Sequence, residues 1–197
     1  MNTKKLIKQK TIELFSKKGI RNVTLREVAK KLNKSYGNIT YHYKTKEELI
    51  TEITINFLKN IEKLNNINFE NENSLKNYFK FTELQFSITK KYFFFFVDYL
   101  EIKRNYPLLE KRIELNTIWS SDLKLEMLNE LQQQGYLQKN LNKNSFLYIL
   151  EIQSALSIQY LQNSTFSKMN KKEYTQKINK SIFPYLTDKG KIKYIKA

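Results

Sequence analysis

Only four glycines and two prolines punctuate this chain of 197 residues. A many-stranded fold needs a tight turn roughly every ten residues, and those turns draw heavily on glycine and proline. The supply here is too small, so the sequence predicts an all-α architecture. Hydrophobic residues make up 41% of the chain and aromatic ones 14%, enough for a substantial buried core.

Cap chemistry divides the chain further. Residues 2–18 place Ile7, Thr11, Leu14 and Phe15 on one helical face, and Gly19 follows where a helix would end. Thr24 with Glu27 and Thr45 with Glu48 form T-x-x-E capping boxes. The first opens a short helix with Leu25, Val28, Ala29 and Leu32 turned inward; the second opens a long one carrying Leu49, Ile53 and Phe57. Between them, Asn33-Lys34 makes a turn and Ser35 caps one more short element. Its sequence, SYGNITYHY, is mostly β-branched, aromatic or glycine and has poor helical credentials. Ser74 is the expected cap of the next helix, and KYFFFFVDYLEIKRNYP follows with apolar residues nearly all round until Pro107 breaks it. An amphipathic segment runs from Leu108 to Gln134, ahead of Gly135. Two closing helices span Ser145 to about Gln162 and, with Asn170 and Glu173 as a capping pair, Lys171 to about Leu186, making about nine helices in all.

Charge is distributed unevenly. Residues 1–63 hold 15 Lys/Arg against 6 Asp/Glu, residues 64–167 hold 11 against 11, and residues 168–197 hold 9 against 2. A Lys/Asn-rich composition can reflect coding bias, but bias alone would not leave the middle neutral. The basic ends fit either a polyanion-binding surface or a solvated lysine face. No apolar stretch has the length of a signal-peptide core, and the longest apolar run, Tyr92 to Val97, is far too short to span a bilayer. A soluble, cytoplasmic protein without membrane partners is expected. Catalysis lacks its parts: there is no cysteine, a single histidine, no glycine-rich phosphate loop and no convincing carboxylate pair. We therefore expect no enzymatic chemistry, no metal site and no cofactor.

Three short helices within about 45 residues, the second and third joined by a tight turn in the most basic part of the chain, form a helix-turn-helix candidate. Ala29, Asn33 and Ile39 fall where such a motif needs a small residue for close crossing, a residue tolerating the left-handed conformation, and an apolar anchor. The stretch ELFSKKGIRNVTLREVAKKLNKSYGNITYHYKTKEEL, Glu13 to Leu49, resembles the TetR (tetracycline-repressor-like) family of bacterial transcriptional regulators. It has that family's LF, Gly, Thr, helix-turn-helix, paired aromatics and K-x-K-E-x-L.

The resemblance implies roles for particular residues. Ser35 to Tyr43 becomes a recognition helix in the DNA major groove, with Tyr36, Asn38 and Thr40 nearest base edges. Asn38 suits bidentate pairing with adenine, while Tyr36 and Thr40 suit contact with a thymine methyl. Gly37 lets the backbone approach DNA closely, offsetting its helical cost of roughly 1 kcal/mol. Thr24, Arg26, Ser35, Tyr41, His42 and Lys46 match DNA-binding positions, most of them gripping phosphates, and Lys46 sits beside a helix start. The family often has tyrosine where this chain has Thr40.

The resemblance also implies a helix-turn-helix domain over residues 1–48 and a larger helical effector-binding and dimerisation domain over 49–197. Double-stranded DNA is the expected partner, together with a second copy of the chain, since such heads read half-sites about 34 to 36 Å apart. Leu147, Leu150, Ser154 and Leu161 on one closing helix and Ile178, Ile182 and Tyr185 on the other are candidates for a homodimer interface or for the monomer core. Gln85, Phe95, Asp98, Tyr99, Trp119 and Gln153 are candidate walls and anchors of a site for an unknown small-molecule effector, or else core residues. The expected function is a sequence-specific transcriptional regulator, a ligand-responsive repressor at a palindromic operator. The alternative is a ligand-independent DNA-binding protein of the same fold with an architectural or division-linked role.

Overall fold

A computed structural model describes residues 2–69, 74–106, 122–162 and 170–196 of the chain. Among these residues there are eleven α-helices, one 3-10 turn and no strand. No helix is long and apolar enough to cross a membrane. The residues group into two compact units, Met1–Asn60 with Thr89–Glu114 and Ile61–Ile88 with Leu115–Ala197.

The first unit opens with α1 (Thr3–Lys18), α2 (Leu25–Lys31), α3 (Tyr36–His42) and α4 (Lys46–Asn65), the last continuing beyond the unit's Asn60 boundary. The caps read from the sequence form here. Thr24 Oγ1 accepts from Glu27 N at 3.2 Å, Ser35 Oγ from Asn38 N at 3.2 Å and Thr45 Oγ1 from Glu48 N at 3.1 Å. Each satisfies one of the amide groups that a helix start leaves without a partner. Gly19 ends α1 at φ 78°, and Asn33 turns the chain between α2 and α3 at φ 52°, a conformation that asparagine tolerates better than most residues.

The aromatic run does not make one encircled helix. After α5 (Ser74–Lys91) the chain forms α6 (Phe94–Val97), bends at Asp98, and forms α7 (Tyr99–Asn105). Splitting the run lets its rings reach several neighbours. Phe94 packs edge-on to Phe15 at 5.2 Å, while Phe57 on α4 meets Tyr92 at 5.1 Å and Phe95 at 5.0 Å. Such ring pairs contribute about 0.5–1.5 kcal/mol each beyond the area they bury. Residues 94–105 are thus built into the unit that carries the helix-turn-helix.

The second unit contains the end of α4, most of α5, α8 (Asp122–Gln133), α9 (Lys143–Gln162), α10 (Lys171–Asn179), the 3-10 turn Lys180–Tyr185 and α11 (Asp188–Lys196). Its core joins Leu75, Tyr78, Phe81, Leu128, Leu131, Ile149, Leu150 and Ile182. Two starts differ from expectation. Ser74 is the first residue inside its helix, and its hydroxyl donates to Gln134 Oε1 at 2.6 Å. Asn142 caps α9, accepting from Ser145 N at 3.0 Å, so the helix begins before Ser145. The basic tail after Leu186 also folds. Thr187 Oγ1 accepts from Gly190 N at 3.1 Å, and Tyr194 sets its ring against Phe79 and Phe183 at 5.1 and 5.4 Å. Gly190 lies so near the Tyr136 carbonyl that a Cβ would stand 2.1 Å from the oxygen; only glycine fits there.

Candidate nucleic-acid interface

Helix α3 has two unlike faces. Ile39 is 0% exposed and Tyr43, its C-cap, 1% exposed, whereas Tyr36 is 46% and Tyr41 85% exposed. Ser35, Gly37 and Asn38 are exposed as well, and Thr40 and His42 are half-buried. A large exposed tyrosine on a helix of seven residues gains nothing from burial within the chain, so these side chains are free to meet a partner. The Arg26 guanidinium on α2 stands over the Tyr36 ring at 5.3 Å, which links the second helix to the start of the third. Thr24 is exposed at the N-cap of α2. The His42 ring lies edge-on to Tyr41 at 5.1 Å. The Thr40 hydroxyl bonds back to the carbonyls of Tyr36 at 3.2 Å and Gly37 at 3.3 Å, which gives a β-branched residue a place inside the helix.

Tyr43 anchors the buried face. Burial pushes its phenol well above the ordinary range, and neighbouring Glu52 and Glu48 add to the effect. The Lys4 ammonium stands 5.7 Å from the ring centroid, and Lys8 pairs with Glu52 at 2.6 Å. Helix α1 is thereby tied both to α4 and to the end of α3.

Lys46 occupies a different environment from the exposed residues. Its ammonium donates to the Ile20 carbonyl and lies 5.8 Å from the Phe15 ring centroid. Burial lowers its pKa, against the attraction of Glu101 and Asp98. Asp98 holds the same loop from the other side, accepting from Ile20 N at 2.7 Å. Burial raises the Asp98 pKa, with Glu101 adding to the effect and the Ile20 N–H and Lys46 opposing it. Ile20 therefore has both main-chain groups satisfied by charged side chains. No local sequence signal announces this, because Asp98 is 78 residues from Ile20.

The candidate effector residues do not fall in one unit. Phe95, Asp98 and Tyr99 lie in the first, and Gln85 and Gln153 in the second. Phe95 is fully buried against Phe57 and Phe94. Gln153 accepts from Tyr78 Oη at 3.1 Å and donates to Ser181 Oγ at 2.9 Å. Trp119 lies outside the described residues. Of the candidate interface residues, Leu150, Leu161, Ile178 and Ile182 are buried in the chain itself, while Leu147, Ser154 and Tyr185 remain partly accessible.

Residues 7–53 match the profile of the bacterial regulatory proteins, tetR family. No curated protein matches the sequence. Among solved structures, a TetR-family transcriptional regulator from Marinobacter aquaeolei VT8 is similar over 96% of this chain and 93% of its own, at TM-score 0.80 and 23% identity. The regulator PfmR of Thermus thermophilus is similar over 92% of this chain and 98% of its own, at TM-score 0.64 and 20% identity. The ketosteroid regulator KstR2 of Mycobacterium tuberculosis is similar over 95% and 96%, at TM-score 0.64 and 13% identity. The segment that matches the tetR family model is thus the one that carries the capped helix-turn-helix, and the fold of the whole chain is similar to that of solved TetR-family regulators.

Proposed function

We propose that the chain is a cytoplasmic, ligand-responsive repressor that binds a palindromic operator as a homodimer, with α3 in the major groove. The observation that carries this reading is the division of α3 into a buried face, Ile39 and Tyr43, and an exposed one, Tyr36, Gly37, Asn38 and Tyr41. Asn38 and Tyr36 read base edges, with Thr40 half-accessible beside them. Thr24, Arg26, Ser35, Tyr41 and His42 position the helix on the phosphate backbone. Lys46 serves phosphate through its main-chain N–H at the start of α4, its ammonium being held on Ile20.

The homodimer forms through α9 and α10. Tyr148 and Ala155 are exposed on α9 with Ile152 half-buried between them, a stripe at helical spacing offset from the buried Ile149, Leu150 and Gln153. The effector is recognised by the polar seam inside the second unit. That seam contains Tyr78, Gln85, Gln153, Ser157 and Tyr174, together with Asn179, whose buried Nδ2 has no hydrogen-bond partner among the described residues. A buried donor left without a partner costs about 1–3 kcal/mol, and an effector that accepts from it recovers that cost.

Selection of bound sequences from random duplex DNA tests the reading. A palindrome with half-sites about one helical turn apart is expected. Recovery of unrelated sequences at equal frequency would refute it and favour the architectural alternative.

A further inference from the structure

A cleft of about 930 Å³ lies wholly within the first unit, between one face of α1, Asn56 and Asn60 of α4, and the end of α5 with Tyr92. Its volume is that of a small-molecule site. The charges lining it are one-sided. Lys5, Lys8 and Lys17 come from α1, Lys90 and Lys91 from the end of α5, and the one acid among its lining residues, Glu13, is paired with Lys10. Lys8 is also committed, to Glu52 at 2.6 Å. Lys5 and Lys17 are exposed and make no ion pair or hydrogen bond among the described residues. Twelve residues separate them, so they mark points about 18 Å apart along the helix axis. Ile12 lines the cleft between them along the helix axis, and the buried Tyr92 lines it from the other side. Asn60 Nδ2 donates to Tyr92 Oη at 3.3 Å, while the phenol's own hydrogen has no acceptor among the described residues.

From this arrangement we infer that the cleft is a binding site for an elongated organic anion, with acidic groups at both ends and an apolar or aromatic middle. The end charges meet Lys5 and Lys17 with Lys91, and the middle lies on Ile12 and the Tyr92 edge. Asn56, Asn60 and the Tyr92 hydroxyl supply hydrogen bonds. The site belongs to the DNA-binding unit and is separate from the polar seam of the second unit. Its failure would leave the repressor reading standing.

A fluorescent stilbene disulfonate, titrated into the full-length protein at about 150 mM salt to screen loose ion pairing, is the probe. One equivalent per chain should bind, at least tenfold tighter than benzenesulfonate, which has one charged end, or pyrophosphate, which has no apolar middle. Lys5→Gln and Lys17→Gln should each weaken it about fivefold or more. The Lys193→Gln/Lys196→Gln variant, with charges removed from α11, should leave it unchanged. Equal weakening by the α11 variant, several equivalents per chain, or pyrophosphate binding as tightly as the disulfonate would overturn the inference. So would a parallel fivefold loss of non-specific duplex binding in Lys5→Gln and Lys17→Gln, which would make the cleft part of the DNA track.

Discussion

Gly37→Ala separates the stability of α3 from its proposed work. Glycine inside a helix costs about 0.5–1 kcal/mol relative to alanine, because it gives up more backbone freedom on folding. A Cβ built at Gly37 meets nothing closer than the Ser35 hydroxyl at 4.0 Å, and the residue is exposed. Alanine therefore fits without strain in the free protein and should raise its stability by about 0.5–1 kcal/mol, or roughly 1–4 °C in Tm at this chain length. On DNA the sign reverses if Gly37 is where the helix backbone comes nearest the groove. An intruding methyl costs about 1–3 kcal/mol in a close-packed contact, a loss of roughly 5- to 150-fold in affinity for a half-site. Thermal unfolding and operator titration of the same preparation measure both signs. Higher stability with unchanged operator affinity would sink the argument that close approach to DNA explains this glycine.

Asn38→Ala should change base preference by about 1–3 kcal/mol at one position of the half-site, whereas Arg26→Ala should weaken all sequences alike and lower the salt slope by about 1; identical profiles would refute the division into base and phosphate contacts. Asp98→Ala strands the Ile20 N–H and should cost about 1–3 kcal/mol, while Asp98→Asn keeps an acceptor and should cost much less, as read by denaturant midpoints and Ile20 amide exchange. Equal losses in the two would show that the charge, not the acceptor, holds the loop. Lys124 is buried among the Tyr78 and Phe81 rings, and desolvation pushes its pKa down to about 7. The unfolded chain then binds more protons between about pH 7 and 10.4, so stability should rise with pH there by at most about 1.4 kcal/mol per unit. Lys124→Met should remove that slope, and parallel pH profiles would contradict it. Ile152→Glu should convert a sedimenting dimer to a folded monomer, and a dimer of unchanged strength would place the interface elsewhere.

The features legible in the sequence were those whose physics is local. Thr24, Ser35, Thr45 and Asn170 cap helices because each side chain reaches an amide within three residues, and a single chain displays that spacing directly. Asn33 could be read as the turn residue for the same reason: its left-handed conformation depends on its own side chain. Asp98 shows where such reading stops. Its sequence neighbours are aromatic and suggest a polar anchor in a ligand site, and no local pattern shows that it also accepts from an amide 78 residues earlier. Lys46 is similar: its place beside a helix start suggests a phosphate contact, and nothing local in the sequence announces that its ammonium donates to the Ile20 carbonyl. Leu150 and Ile178 suited an interface by periodicity alone, but period cannot distinguish a core face from a partner face until the other helices are in place.

The strand-like composition of SYGNITYHY follows from the same distinction. Propensity differences of a few tenths of a kcal/mol per residue are smaller than one good cap or one buried anchor. Ser35 supplies the cap, and Ile39 and Tyr43 supply the anchors at 0% and 1% exposure. With the helix fixed from its start and from beneath, the remaining positions are released from any need to favour helix. They hold Tyr36, Gly37, Asn38 and Tyr41, side chains that stabilise the free protein little. A short element whose outward residues do little for its own stability leaves that face available to a partner outside the chain.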